Sequence, residues 1–203
     1  MLRLYDSRLS GNAWKVRILL TQLALPFERV TLDLAKGATA DPAFRAKSRF
    51  ARVPVLELED GRTIVESAAI MFYLAEGTRF LPDDRFLRTE VMSWLTFEQA
   101  DLLRALALPR FYHMRGIADQ MKSRIADFQE GAYPALGKVD AWLSTHDWLV
   151  DGRYTIADIG MFGYVSMADQ GGYEMQQFPS IGAWLARVKA QPGWVPLVAE
   201  TKG

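Results

Sequence analysis

Three short polar clusters in this chain fall at turns, where backbone N–H groups converge. Ser10-Gly11-Asn12 precedes a run with helical spacing, and Glu66-Ser67 precedes another, Ala68-Ala69-Ile70-Met71-Phe72-Tyr73-Leu74. A hydroxyl or amide at such a position either caps the helix's own orphan N–H groups or joins them in holding an anion from outside. Ser67 stands where an N-cap belongs, and Glu66 beside it reads equally as an ordinary solvated neighbour. The third cluster is Arg52-Val53-Pro54, just before a β-rich segment. Proline cannot donate to a central ladder, so Pro54 marks a strand start, an edge or a cis turn. The cis alternative turns the N–H and C=O of Val53 away from the sheet, where an extended peptide-like ligand can pair with them.

Other chemistry is excluded by residue type. The chain has no cysteine, so disulfides, thiolate metal sites and protein-borne thiol catalysis are absent, and any thiol must arrive with a ligand. The two histidines, His113 and His146, have no partner at metal-ligand spacing, so no metal is expected. There is no G-x-G-x-x-G and no phosphate-loop motif. Thr155-Ile156-Ala157-Asp158 has capping-box spacing before an apolar run, which assigns Asp158 to folding.

The elements that position these clusters follow from periodicity. Leu2 to Tyr5 reads as a strand, Val16 to Leu23 as a helix ended by Pro26, and Phe27 to Leu32 alternates as a half-buried strand. Val55 to Leu58 and Arg62 to Val65 flank Glu59-Asp60-Gly61, a hairpin signal, and a helix follows Ser67. The order is βαβ then ββα. From Phe86 onward the periodicity is helical, with runs at Met121 to Phe128 and Leu136 to Leu143 among others. The expected organisation is an α/β domain over residues 1–77, a linker over 78–85 and an all-helical domain over 86–203. The 203 residues are 50% hydrophobic, enough for a substantial core. Lys plus Arg and Asp plus Glu both number 24, and the balance is 11 − 9 = +2 over residues 1–77. Neither part has the positive excess that a nucleic acid or an anionic membrane requires, so neither partner is expected. No signal-peptide core or membrane span is recognisable, and the expected location is the cytoplasm.

In combination, S-G-N followed by K-V-R (Ser10 to Arg17), R-V-P-V-L (Arg52 to Leu56), E-S-A-A-I (Glu66 to Ile70) and Y-T-I-A-D-I (Tyr154 to Ile159) resemble the cytosolic glutathione transferases, in particular bacterial, serine-type-like members. The resemblance covers essentially the whole chain. It implies a thioredoxin-like domain followed by an all-helical one, with glutathione as substrate. By that resemblance Val53 pairs through its backbone with the cysteinyl part, beside a cis Pro54. Glu66 and Ser67 hold the γ-glutamyl carboxylate and amino group, and Arg52 lies near the glycine carboxylate. Ser10 donates to the sulfur with help from Asn12, Tyr5 being the rival hydroxyl inside the first strand. The electrophile pocket, expected between the domains, takes Leu9, Leu108, Phe111 and Tyr112. The segment Ser48-Arg49-Phe50-Ala51 departs from the N-P-x-G of many relatives. The implied activity is thiol transfer to a hydrophobic electrophile, as in detoxification, or reduction of a peroxide or disulfide. The alternative is a non-catalytic scaffold of the same fold. A homodimer is expected, with Gln99 or Asp101 reaching the partner's ligand.

Overall fold

A computed structural model describes residues 1–198 and divides the chain into two compact units, 1–78 with the segment from Gln191 onward, and 79–190. The sequence pattern groups everything from residue 86 on, whereas the segment from Gln191 clusters with the first unit.

In the first unit four strands, β1 (Leu2–Asp6), β2 (Phe27–Thr31), β3 (Val55–Glu57) and β4 (Thr63–Val65), form one mixed sheet in the order β2-β1-β3-β4. β1 runs parallel to β2, with Tyr5 opposite Val30, and antiparallel to β3, with Tyr5 opposite Val55. Period-two alternation therefore puts Tyr5, Val30, Val55 and Val65 on one face, where they pack with Phe44 of α2 (Pro42–Arg45). The opposite face carries Leu4 and Leu56, both fully buried. α1 (Gly11–Gln22) lies beside α3 (Ser67–Ala75), and α3 lies against β3 and β4. Gly61 closes the β3–β4 hairpin at φ +85°, and its N–H donates to the Leu58 carbonyl at 3.0 Å.

The second unit is helical: α4 (Arg85–Phe97), a π turn (Glu98–Leu102), α5 (Leu103–Met114), α6 (Lys122–Leu143), α7 (Ile156–Val165) and α8 (Pro179–Lys189). Its core includes Val91, Leu95, Leu102, Leu106, Leu136, Val139, Ile159, Phe162 and Trp184. The two separate runs expected around residues 121–143 are one helix of 22 residues that carries Pro134 through its interior. Tertiary packing of Ala132, Ala135 and Leu136 holds that helix together where local propensity marks a break. No helix among the described residues is long and apolar enough to cross a membrane.

Asp158 fixes the start of α7. Thr155 and Asp158 form the expected capping box. The fully buried carboxylate also accepts from Leu149 N at 3.1 Å and from Trp184 Nε1 at 3.0 Å, so it joins α7 to the preceding loop and to α8. Burial pushes this carboxyl up to about 6, outweighing the donors around it. The folded state thus holds the proton more tightly than the unfolded chain. The group's stabilising effect is complete below its ordinary value of 3.8 and is lost as pH rises through about 6. Asp158→Asn leaves buried donors facing an NH2 group and should cost about 2–4 kcal/mol at pH 7. Because the variant has no titrating group here, the wild-type advantage in denaturant unfolding should widen from pH 7 to pH 5. An advantage that narrows would overturn this account.

Candidate functional site

Two of the three polar clusters of the sequence meet at the N-terminal ends of α1 and α3. Ser10 is the N-cap of α1, extended at φ −77°, and its Oγ accepts from Ala13 N at 3.2 Å. The hydroxyl proton remains available to donate. Asn12 sits in the first turn of the same helix.

Ser67 is not the cap of α3. The cap position is Glu66, whose side chain caps nothing, and Ser67 is the first helical residue. From there the 3% exposed Ser67 turns its hydroxyl away from the helix axis, to Asn12 Oδ1 at 3.4 Å. α3 therefore starts with no side-chain cap on its first N–H groups, which is the arrangement that accepts an anion. Glu66 itself stands at φ +71°, ψ +124°, a conformation costing a non-glycine residue on the order of 1–3 kcal/mol. Its side chain is exposed at the same helix end.

Ahead of β3 the Val53–Pro54 bond is cis, and Val53 stands outside the ladder that begins at Val55. The turn leading to it is built by Ser48, whose Oγ accepts from Arg52 N at 3.1 Å and donates to Arg52 O at 3.0 Å. Ala51 takes φ +51° there, and the Arg52 side chain is exposed.

Tyr5 belongs to another face. Its hydroxyl donates to Glu57 Oε2 at 2.6 Å, and Lys47 Nζ reaches the same oxygen at 2.9 Å. These two hydrogen bonds, the tyrosine's first, hold the Glu57 carboxyl below its ordinary range. Leu9 is exposed in the loop before α1 of the first unit. Leu108, Phe111 and Tyr112 lie on α5 of the second, with the last two rings 6.1 Å apart. His146 stacks on Trp142 at 3.9 Å, and among the described residues no group of three His, Asp or Glu side chains could hold a metal ion.

Two groups escaped the sequence reading. Lys15 is fully buried and donates from Nζ to Asn12 Oδ1 at 3.0 Å. A lysine three residues after Asn12, inside the apolar run from Ala13 to Leu20, was the available signal. The second is Asp6, fully buried at the end of β1, which pairs with Arg29 at 2.7 Å and Arg17 at 3.1 Å. Burial, then the nearby Arg29, lowers the Arg17 guanidinium to about 10 against the pull of Asp6. Arg17 also donates to Leu197 O at 2.8 Å, and Trp14 Nε1 donates to Val195 O at 2.8 Å. These contacts tie the segment after Gln191 to α1.

Comparison with known proteins agrees along both units. Residues 4–78 match the glutathione S-transferase N-terminal domain and residues 100–192 the glutathione S-transferase C-terminal domain. A crystal structure of glutathione S-transferase from Pseudomonas fluorescens is similar, with a TM-score of 0.94 at 37% identity over 97% of this chain and 98% of that one. The disulfide-bond oxidoreductase YfcG of Escherichia coli is 25% identical over 89% of this chain and 87% of its own. Ure2p in complex with glutathione shares the fold, with a TM-score of 0.87 at 22% identity over 95% and 96% of the two chains.

The strained Glu66 gives a test free of ligand. Glu66→Gly should raise stability by about 1 kcal/mol, because glycine adopts positive φ without a Cβ clash. Denaturant unfolding checks this, and a loss of stability would remove strain from the description of the site.

Proposed function

Because the chain belongs to the glutathione S-transferase family, we propose that its first unit binds glutathione and activates the bound thiol as a nucleophile. The observation that carries this reading is the uncapped start of α3, with Glu66 and Ser67, beside the hydroxyl of Ser10 and the amide of Asn12. The backbone N–H groups at the start of α3, that of Ser67 first, suit the γ-glutamyl carboxylate, and the Glu66 carboxylate suits its ammonium. Val53, outside the ladder, suits the cysteinyl backbone, and the exposed Arg52 suits the glycine carboxylate.

With no cysteine in the chain, the sulfur is the ligand's. A free thiol has a pKa of about 8.5, and each unit of lowering needs about 1.4 kcal/mol of preference for the thiolate. Donors from Ser10 and Asn12 at the N-terminus of α1 suit a lowering of about one to two units. Tyr5 is spent on Glu57, which supports Ser10 as the hydroxyl that serves the sulfur. In turnover the thiol proton leaves to solvent. The thiolate then forms a bond to an electrophilic carbon, or to one sulfur of a disulfide, as the leaving group departs with its electron pair. The similarity to YfcG supports the disulfide branch, and the resemblance to transferases supports the carbon branch. A non-catalytic glutathione-binding scaffold is the alternative. The presence together of Ser10, Asn12, Glu66 and Ser67 supports turnover.

Calorimetry with glutathione tests binding. Glu66→Ala with an unchanged fold should weaken affinity roughly 30-fold or more, the cost of breaking a charge-assisted pair. Unchanged affinity would overturn the assignment. Ultraviolet titration of the bound thiolate should show a rise of about one to two units in Ser10→Ala/Asn12→Ala and none in Tyr5→Phe. The reverse pattern replaces Ser10 with Tyr5.

The second part of the reading is a cytoplasmic homodimer. Phe86 and Met92 of α4, Tyr73 of α3 and Phe50 are all exposed large apolar side chains, more than a lone chain of this size gains from leaving in water. The exposed Asp101 is the residue that would reach the partner's ligand. Light scattering at micromolar concentration should give twice 22.9 kDa, and a monomer mass would overturn it.

A further inference from the structure

Asn12 is an amide, and only its NH2 end can donate to a thiolate. Which end faces which way is decided by Lys15. An ammonium has three donors and no acceptor, so the amide atom 3.0 Å from Lys15 Nζ has to be the oxygen. The Ser67 hydroxyl, 3.4 Å from the same atom, adds a second donor. The flipped amide would set donor against donor beside a fully buried charge, where low polarity makes the clash costly. Nδ2 points away from both, and among the described residues it makes no hydrogen bond.

We propose that Lys15 is a positioning residue, which locks the Asn12 amide with its NH2 group presented to the sulfur of bound glutathione. This rests on the glutathione-binding reading above. Lys15 acts through Asn12 and does not itself touch the ligand. Its place on α1, one turn beyond Asn12, makes the lock part of the helix and independent of any loop. The ligand class that this arrangement favours is a thiolate or another single anionic atom.

The test is a double-mutant cycle read by the pKa of the bound thiol. Lys15→Met should raise that pKa by about one unit and lower turnover near neutral pH about tenfold, with KM for glutathione changed less than about twofold. Lys15→Arg, which keeps a donor, should restore most of it. In the Asn12→Ala background Lys15→Met should add no further shift, because its route to the sulfur is gone. An equal shift in both backgrounds overturns the proposal in favour of a direct charge effect. No shift in either overturns it in favour of a packing role. If Lys15→Met does not fold, nitrogen-15 NMR of the Asn12 side-chain amide in the unmutated protein reads the same geometry. Its resonances should titrate with the midpoint of the bound thiol, and resonances that ignore the thiol overturn the proposal. The unmutated protein showing no heat with glutathione removes the binding reading and this one together. Heat with no Lys15 effect removes this one alone.

Discussion

A helix begins with N–H groups that nothing inside it can satisfy, and the candidate site exists where this chain leaves that demand open. At five other helix starts a side chain meets it. Ser10 accepts from Ala13 at the head of α1, Asp41 from Ala43 at α2, Asp84 from Leu87 at α4, and Thr155 from Ala157 at α7. α8 is served from a neighbour, Asp140 accepting from Ile181 N at 2.9 Å. α3 receives no side-chain acceptor, as is also so of α5 and α6, but only α3 has Glu66 in a strained conformation at its cap and Ser67, its hydroxyl spent on Asn12, in its first turn. An open helix end and a strained residue at one point are two costs in one place. A bound anion that meets the N–H groups offsets both.

The positions of the two helix ends rest on buried charge. Asp6 is fully buried against Arg17 and Arg29, and the pairing joins β1, β2 and α1 at one carboxylate. Arg17 passes the constraint to the Leu197 carbonyl, and Trp14, T-shaped against Trp194 at 6.3 Å, does the same through Val195. Lys15 lies between these two residues on the sequence but points its ammonium back along the helix to Asn12. Consecutive positions of one helix thus serve opposite ends. Trp14 and Arg17 hold the chain's last described segment, and Lys15 and Asn12 serve the site.

What the sequence made legible was whatever is encoded locally. Alternation at Phe27 to Leu32, the Asp60-Gly61 turn and the Thr155 to Asp158 box are each decided within a few residues, and the corresponding elements form as their patterns direct. The polar clusters at Ser10 and Ser67 were legible for the same reason. That Ser67 lies one position inside its helix was not, because the cap is settled by the backbone angle of Glu66 and by Asn12, 55 residues away. Lys15 showed only as a lysine inside an apolar run, and Asp6 was illegible in a stronger sense. A charged residue reads as solvated until the partner that allows its burial is known, and for Asp6 both partners come from other elements. The interval between the runs at Met121 to Phe128 and Leu136 to Leu143 went the other way, since packing on Ala132 and Leu136 carries one helix through Pro134.

The absence of cysteine sets how the labour is divided. On the reading proposed above the nucleophile comes with the ligand, so the first unit would have only to shift a protonation equilibrium by one or two units, about 1.4–3 kcal/mol. Ser10 and Asn12 are both half-buried, and since a hydrogen bond to a charged group contributes about 1.5–3 kcal/mol, one or two such donors span that range. A hydroxyl that is itself oriented by accepting from Ala13, and an amide oriented by Lys15, lose little freedom when the thiolate arrives. Preorganisation raises the useful part of each interaction without adding another charge. On that same proposed reading, the economy leaves the choice of electrophile outside this cluster of side chains.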